Sequence, residues 1–235
     1  MDERILISGA DALGIDLSKE AAGRMISYGE RLLQKNKSVN LTAIVDEDEF
    51  IVKHLLDSLT AAVLPEINGK VADIGTGGGF PGTVIKIIRP DCVMTLIDST
   101  KKKLSATAEI CNTLDIPVKI IHARAEDMGR KLLRNHFDTV VARAVAPLPQ
   151  LLEYCLPLTK EGGVFIAMKG PEGENELKIS DSAIKMLGAV TERVEPRILP
   201  GGIERRLIIF RKISETPPGY PRAGKAIQQN PLTNE

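Results

Sequence analysis

Over the first 34 residues, apolar positions recur every three or four places: Ile5, Leu6, Ala10 and Leu13, then Ala22, Met25, Ile26, Leu32 and Leu33. That period puts one apolar face on each of two or three helices. A polar break at 36–40 follows, and Leu41-Thr42-Ala43-Ile44 leads into four consecutive acids, Asp46 to Glu49. Acids favour the positive end of a helix dipole, so a helix is predicted to open there and to continue through Ile51, His54, Leu55, Leu59 and Val63. Pro65 and Gly69 end it.

From Lys70 the pattern changes. Short β-rich runs begin at Val71 and recur at 93–97, 118–121, 137–142 and 163–168, alternating with helical runs such as 101–114 and 147–158. Such alternation is the signature of βαβ units and a parallel sheet. Residues 172–187 are helical in pattern, and 190–199 with 205–211 predict a hairpin through Pro200-Gly201-Gly202, an antiparallel edge on an otherwise parallel sheet. The chain thus divides into an N-terminal helical extension (1–69), an α/β domain (70–213) and a basic and polar tail (214–235), expected to be flexible because it has no periodicity. No internal repeat is present.

Candidate chemistry concentrates where the first strand ends. In Asp73-Ile74-Gly75-Thr76-Gly77-Gly78-Gly79-Phe80-Pro81-Gly82 an apolar run meets an acid, then glycines, then a proline suited to a first helical turn. In open α/β sheets, ligands bind at such strand ends. A phosphate-binding P-loop fails, because Thr83 stands where lysine is required. A dinucleotide frame of the NAD type is present at Gly77, Gly79 and Gly82, but starts beyond the natural strand end. The third ligand class is S-adenosylmethionine, which has an adenosine and an amino acid but no phosphate, above a turn of Gly75, Gly77 and Gly79. Asp73 would face its ammonium group or brace the turn, or serve only as a local acceptor for turn amides.

Asp98 closes the second strand 23 residues after Gly75, near the offset of a ribose-binding carboxylate; it could equally cap the next helix. Glu126, after the third strand, is placed to accept from an adenine amino group, or is merely solvated. Arg143 and Lys169 end the fourth and fifth strands. Arg143 either faces the cleft or belongs to a buried ion pair.

Composition narrows the partners. Lys plus Arg equals Asp plus Glu, 31 each, so a polyanion must be met by a local basic patch. Cys92, Cys111 and Cys155 are far apart and lack C-x-x-C spacing, and His54, His122 and His136 lack ligand spacing, so neither a disulfide framework nor a metal site is expected. Without a signal-type N-terminus or a long apolar run, a cytoplasmic protein that does not engage membranes is expected.

These residues resemble a known family, the bacterial ribosomal small-subunit methyltransferases that methylate a guanine N7 of 16S rRNA, also known as glucose-inhibited division protein B. The resemblance runs from about Asn40 to the C-terminus. It rests on Asn40-Leu41-Thr42, His54 with Asp57-Ser58-Leu59, the glycine turn, Asp98-Ser99-Thr100-Lys101-Lys102-Lys103, Arg124-Ala125-Glu126, Arg143-Ala144-Val145-Ala146, Lys169-Gly170, Glu204-Arg205 and Tyr220-Pro221-Arg222. The resemblance implies a Rossmann-like class I S-adenosylmethionine-dependent methyltransferase over 70–213, with a mostly parallel seven-stranded sheet, helices on both faces and an N-terminal helical extension. It also implies a cofactor site of Asp73, Gly75, Gly77, Gly79, Phe80, Asp98, Ala125, Glu126 and Arg143, catalytic roles for Arg143 and Lys169, and a monomer acting on 16S rRNA within a small-subunit particle. The chain departs from the pattern at Gln34-Lys35-Asn36-Lys37, which lacks the usual aromatic residue, and at Ala226-Ile227-Gln228-Gln229-Asn230, where the family's basic tail segment is replaced. Guanine N7 carries a lone pair and no proton, so the reaction needs alignment and no general base.

Overall fold

A computed structural model describes residues 1–234 of the 235-residue chain. Helices α1 (Glu3–Ala12) and α2 (Lys19–Asn36) form the predicted extension. Asp2 and Ser18 open them, each side chain accepting a backbone N–H of the first turn. The acidic run does open a helix: Asp46 accepts from the Glu49 amide at 2.9 Å, and α3 (Glu47–Phe50) follows. A widened π-helical turn, Ile51–Leu56, joins α3 to α4 (Asp57–Ala62). Sequence periodicity gave no sign of that turn, which carries His54.

The sheet contains β1 (Lys70–Ile74), β2 (Val93–Asp98), β3 (Lys119–His122), β4 (Phe137–Arg143), β5 (Thr159–Lys169), β6 (Ala189–Leu199) and β7 (Ile203–Lys212). Their order is β3-β2-β1-β4-β5-β7-β6. The first five are mutually parallel; β7 runs antiparallel to β5 and to β6, so the predicted hairpin forms the sheet margin, with β7 inserted between β5 and the edge strand β6. Helices α5 (Gly82–Ile88), α6 (Lys101–Thr113), α7 (Ala125–Gly129), α8 (Leu148–Cys155), α9 (Gly173–Lys178) and α10 (Asp181–Met186) provide the crossovers, and α11 (Gly224–Gln229) lies near the C-terminus.

Two apolar cores result from strand alternation. Val71, Val141, Ile166 and Met168 pack on one face with Leu6, Met25, Leu55 and Leu59 of the extension. Ala72, Val140, Phe165 and Ala167 pack on the other with Leu148, Leu152 and Ile227. Successive strand side chains point to opposite faces, so one run feeds both cores. The N-terminal extension therefore shares its core with the sheet. The last segment differs from its expectation: Ile227 is fully buried, and the Arg222 guanidinium and amide both donate to the fully buried Glu153 of α8 at 2.7–3.2 Å. Long-range contacts give this stretch its place, which local periodicity does not reveal. Glu235 lies outside the described residues.

Candidate active site

Strand order reverses between β1 and β4, and at the carboxyl ends of these strands lies a cavity of about 240 Å³. Such a reversal opens a crevice because the connections leave in opposite directions. Its walls include Gly75, Asp98, Ala125 and Glu126, four of the residues chosen from sequence, together with Ser99, Arg124, Val145, Gln150, Tyr154 and Gln228.

The glycine turn is held from within. Asp73 is fully buried and its Oδ2 accepts from the Thr76 hydroxyl at 2.6 Å and the Gly82 amide at 2.8 Å. It therefore braces the turn and is not among the cavity walls; its Oδ1 has no partner. Burial is the main cause that lifts its pKa to about 6. Gly75 takes φ +69°, a conformation that favours glycine, and a Cβ there would press on the Val145 side chain, with Cγ2 at 2.6 Å. Gly77 also has positive φ, but a Cβ there meets nothing nearer than the Gly75 carbonyl oxygen at 3.9 Å.

Gly79 and Gly82 make room for protein atoms. A Cβ at Gly79 would sit 2.2 Å from the Tyr28 hydroxyl, and one at Gly82 2.4 Å from Leu96. Two of the three glycines of the dinucleotide frame are thus consumed by packing. The ionisable walls of the cavity include Asp98, Glu126 and Arg124, a poor lining for a pyrophosphate. The dinucleotide alternative has no support from this geometry.

Both oxygens of Asp98 are engaged: Oδ2 accepts from the Gly77 amide at 2.8 Å and Oδ1 from the Thr100 amide at 2.7 Å. Each retains a lone pair for a ribose hydroxyl. Glu126 is 5 % exposed, and among the described residues its carboxylate has no hydrogen-bond or ion-pair partner. Its oxygens open into the cavity and are free to accept a ligand N–H.

Arg143 is placed elsewhere. Its NH1 group donates to the Lys53 carbonyl at 3.0 Å and to Asp57 Oδ2 at 3.1 Å, and its NH2 group to His54 Nδ1 at 2.9 Å. These partners hold its guanidinium 5.6 Å above the Phe80 ring, toward the N-terminal extension and outside the first cavity. The reading of Arg143 as an ion-pair partner thus fits its contacts; Asp57 is 2 % exposed and is also paired with Arg205. Because a guanidinium only donates, Nδ1 of His54 is the acceptor and its Nε2–H points to Thr42 Oγ1 at 2.8 Å. Burial, and then Arg143, lower the His54 pKa to about 3, so the ring is neutral. Phe80 is stacked on that ring (4.8 Å, 7°) and is likewise not a wall of the first cavity.

A second cavity of about 340 Å³ is lined by Lys53, His54, Asp57, Arg143, Ala144, Met168, Lys169, Glu176 and Arg205, among others. Four cations there face two carboxylates. Lys169 donates to the Ala146 carbonyl at 3.1 Å and pairs with Glu176 at 2.7 Å. It holds the loop after β4, where Ala144 takes φ +54°. That conformation costs a non-glycine residue about 1–2 kcal/mol.

His54 and Asp57 gave only a resemblance signal in the sequence, and Tyr154 and Gln228 gave none. Arg206 and Arg222 are not free to form a basic patch: they are paired with Glu174 and Glu204, and with Glu153, respectively.

Fold and cavity together define the class, a Rossmann-like α/β domain with a ligand-type cavity at its topological switch point. Solved structures agree on the fold: a precorrin-6y C5,15-methyltransferase from Geobacter metallireducens (TM-score 0.54, 10% identity, 76% of this chain and 96% of that one) and M. jannaschii TYW2 in complex with AdoMet (TM-score 0.53, 16% identity, 67% and 75%). The family described as rRNA small subunit methyltransferase G matches residues 22–200, and the chain belongs to that family. Relatives named ribosomal RNA small subunit methyltransferase G include those of Thermoanaerobacter sp. (strain X514), 44% identical over 97% of both chains, and Moorella thermoacetica, 43% identical over 98% of both.

Proposed function

We propose that the chain transfers the methyl group of S-adenosylmethionine to guanine N7 of 16S rRNA. The observation that carries the reading is a shared wall: Ala144 lines the cationic cavity, while Val145 and Ala146 line the cavity of Gly75, Asp98 and Glu126. One short loop thus divides the recess of Gly75, Asp98 and Glu126 from a positively charged one. When bound, S-adenosylmethionine supplies an electrophilic methyl group on a sulfonium.

The chain's own residues bind and align. Glu126 accepts from the adenine amino group, and Asp98 accepts from the ribose while still bracing Gly77. Gly75 leaves the floor free of side chains. In the second cavity, Arg143 is a fixed positive charge held by His54, Asp57 and Lys53. An arginine that engaged guanine O6 and N7 together would mask the nucleophile, so this held guanidinium serves O6 or a phosphate alone. Lys169 positions the dividing loop through Ala146 and has one ammonium hydrogen left for the RNA. Correct alignment is worth an effective concentration of roughly 10⁵–10⁸ M, enough to dispense with a general base.

N7 is hidden in the deep groove of paired A-form RNA, so the target base enters unpaired or is extruded. The protein works as a monomer on a small-subunit particle in the cytoplasm; no helix among the described residues is long and apolar enough to cross a membrane. Mass mapping of N7-methylguanine in 16S rRNA from cells with and without the chain is the test. Identical maps, with purified protein also inactive on small-subunit RNA, overturn the reading.

A further inference from the structure

The C-terminal segment, which composition alone marks as free, is fastened beside the first cavity at several points. Arg134 donates to the carbonyls of Thr216, Pro217 and Tyr220, and Arg130 to that of Pro221 at 2.8 Å. Arg222 then binds the buried Glu153, and Ile227 enters the core below β4 and β5. Between these anchors Gly224 lies so close to Glu126 that a Cβ there would sit 2.1 Å from its Oε1. One helical turn later Gln228 forms part of the cavity wall together with Tyr154. Tyr154 is buried, which raises its pKa, and the Gln228 side chain is against its hydroxyl.

We propose that residues 216–229 form the adenine-side wall of the cofactor cavity, with Gln228 as a polar contact to the nucleoside and Gly224 setting the position of Glu126. The inference rests on the S-adenosylmethionine reading and extends it. The wall is built from one end of the chain, so cofactor occupancy and docking of the segment must reinforce each other by linkage. A segment docked only for fold stability would ignore the cofactor.

The test uses the full chain and S-adenosylhomocysteine as the probe. Lys225 is exposed on α11, and trypsin cleavage after it reports undocking. Saturating probe should slow that cleavage at least about fivefold by mass action on the docked state. Gln228→Ala is a conservative change at an exposed helical position and should weaken probe binding about three- to tenfold in calorimetry, the loss of one neutral hydrogen bond. Gly224→Ala should weaken it too, with the same melting temperature in the absence of probe, because Glu126 alone must move. Normal binding by both variants, or cleavage at Lys225 indifferent to probe bound by the wild type, overturns the inference. If the wild-type chain does not bind the probe at all, the cofactor reading itself has failed.

Discussion

Glu126→Ala isolates a charge that the free protein does not use. Its carboxylate is 5 % exposed, lies in the cofactor cavity and has no partner among the described residues. Truncation breaks no internal bond among the described residues, so the ligand-free melting temperature should stay the same. Cofactor affinity should fall, because an N–H bond to a charged acceptor is worth about 1.5–3 kcal/mol, roughly 10- to 150-fold in Kd. Calorimetry with S-adenosylhomocysteine measures this loss. A second arm identifies the contact: an analogue with inosine in place of adenosine lacks the exocyclic amine, so the wild type should lose affinity for it while Glu126→Ala barely discriminates. An undiminished preference of Glu126→Ala for adenosine would refute the assignment of the amine to Glu126. A fall in ligand-free stability would refute the premise that the carboxylate has no internal partner.

Gly75→Ala should weaken cofactor binding more than Gly77→Ala, since both add backbone strain of about 1–2 kcal/mol but only the Gly75 Cβ displaces Val145, a wall of the cavity; the reverse order in calorimetry would place the turn wrongly. Arg143→Ala leaves Asp57 with Arg205 alone and should lower melting temperature, with a loss of about 3–5 kcal/mol if the pair behaves as a buried one; unchanged melting together with lost methylation would make Arg143 a purely RNA-facing group. His54 has a folded pKa of about 3 against 6.5 unfolded, so its contribution to stability is complete above about pH 6.5 and is lost as pH falls toward 3; acid denaturation of His54→Gln should lack that part of the decline. Asp73 acts oppositely: its folded pKa of about 6 exceeds the ordinary carboxylate value, so stability falls as pH rises between about 4 and 6, and chemical denaturation of Asp73→Asn should lack that decline.

Much of this protein follows from its sequence alone. Period-two and period-3.6 patterns, glycines and helix-opening acids are local properties, and they determine the helical extension, the parallel strands and the edge hairpin. That these residues meet at one cavity was legible for the same reason: Gly75, Asp98, Ala125 and Glu126 each lie at or just after a strand end, and parallel strands deliver their carboxyl ends to one rim.

Tertiary structure decided what those residues face. Asp73 and Phe80 sit in the same motif as Gly75, yet both turn inward, Phe80 against the rings of Tyr28, Phe50 and His54 and Asp73 against Thr76 and the Gly82 amide. Arg143 ends a strand as expected, but its direction is set by Asp57 and His54, 86 and 89 residues away, on and just after a π-helical turn that no periodicity announces. The C-terminal stretch lacks local pattern because its order comes from Arg130, Arg134 and Glu153, partners far along the chain. A local sequence window fixes backbone preference; the partner of a charge is fixed only when distant segments meet and water is removed between them.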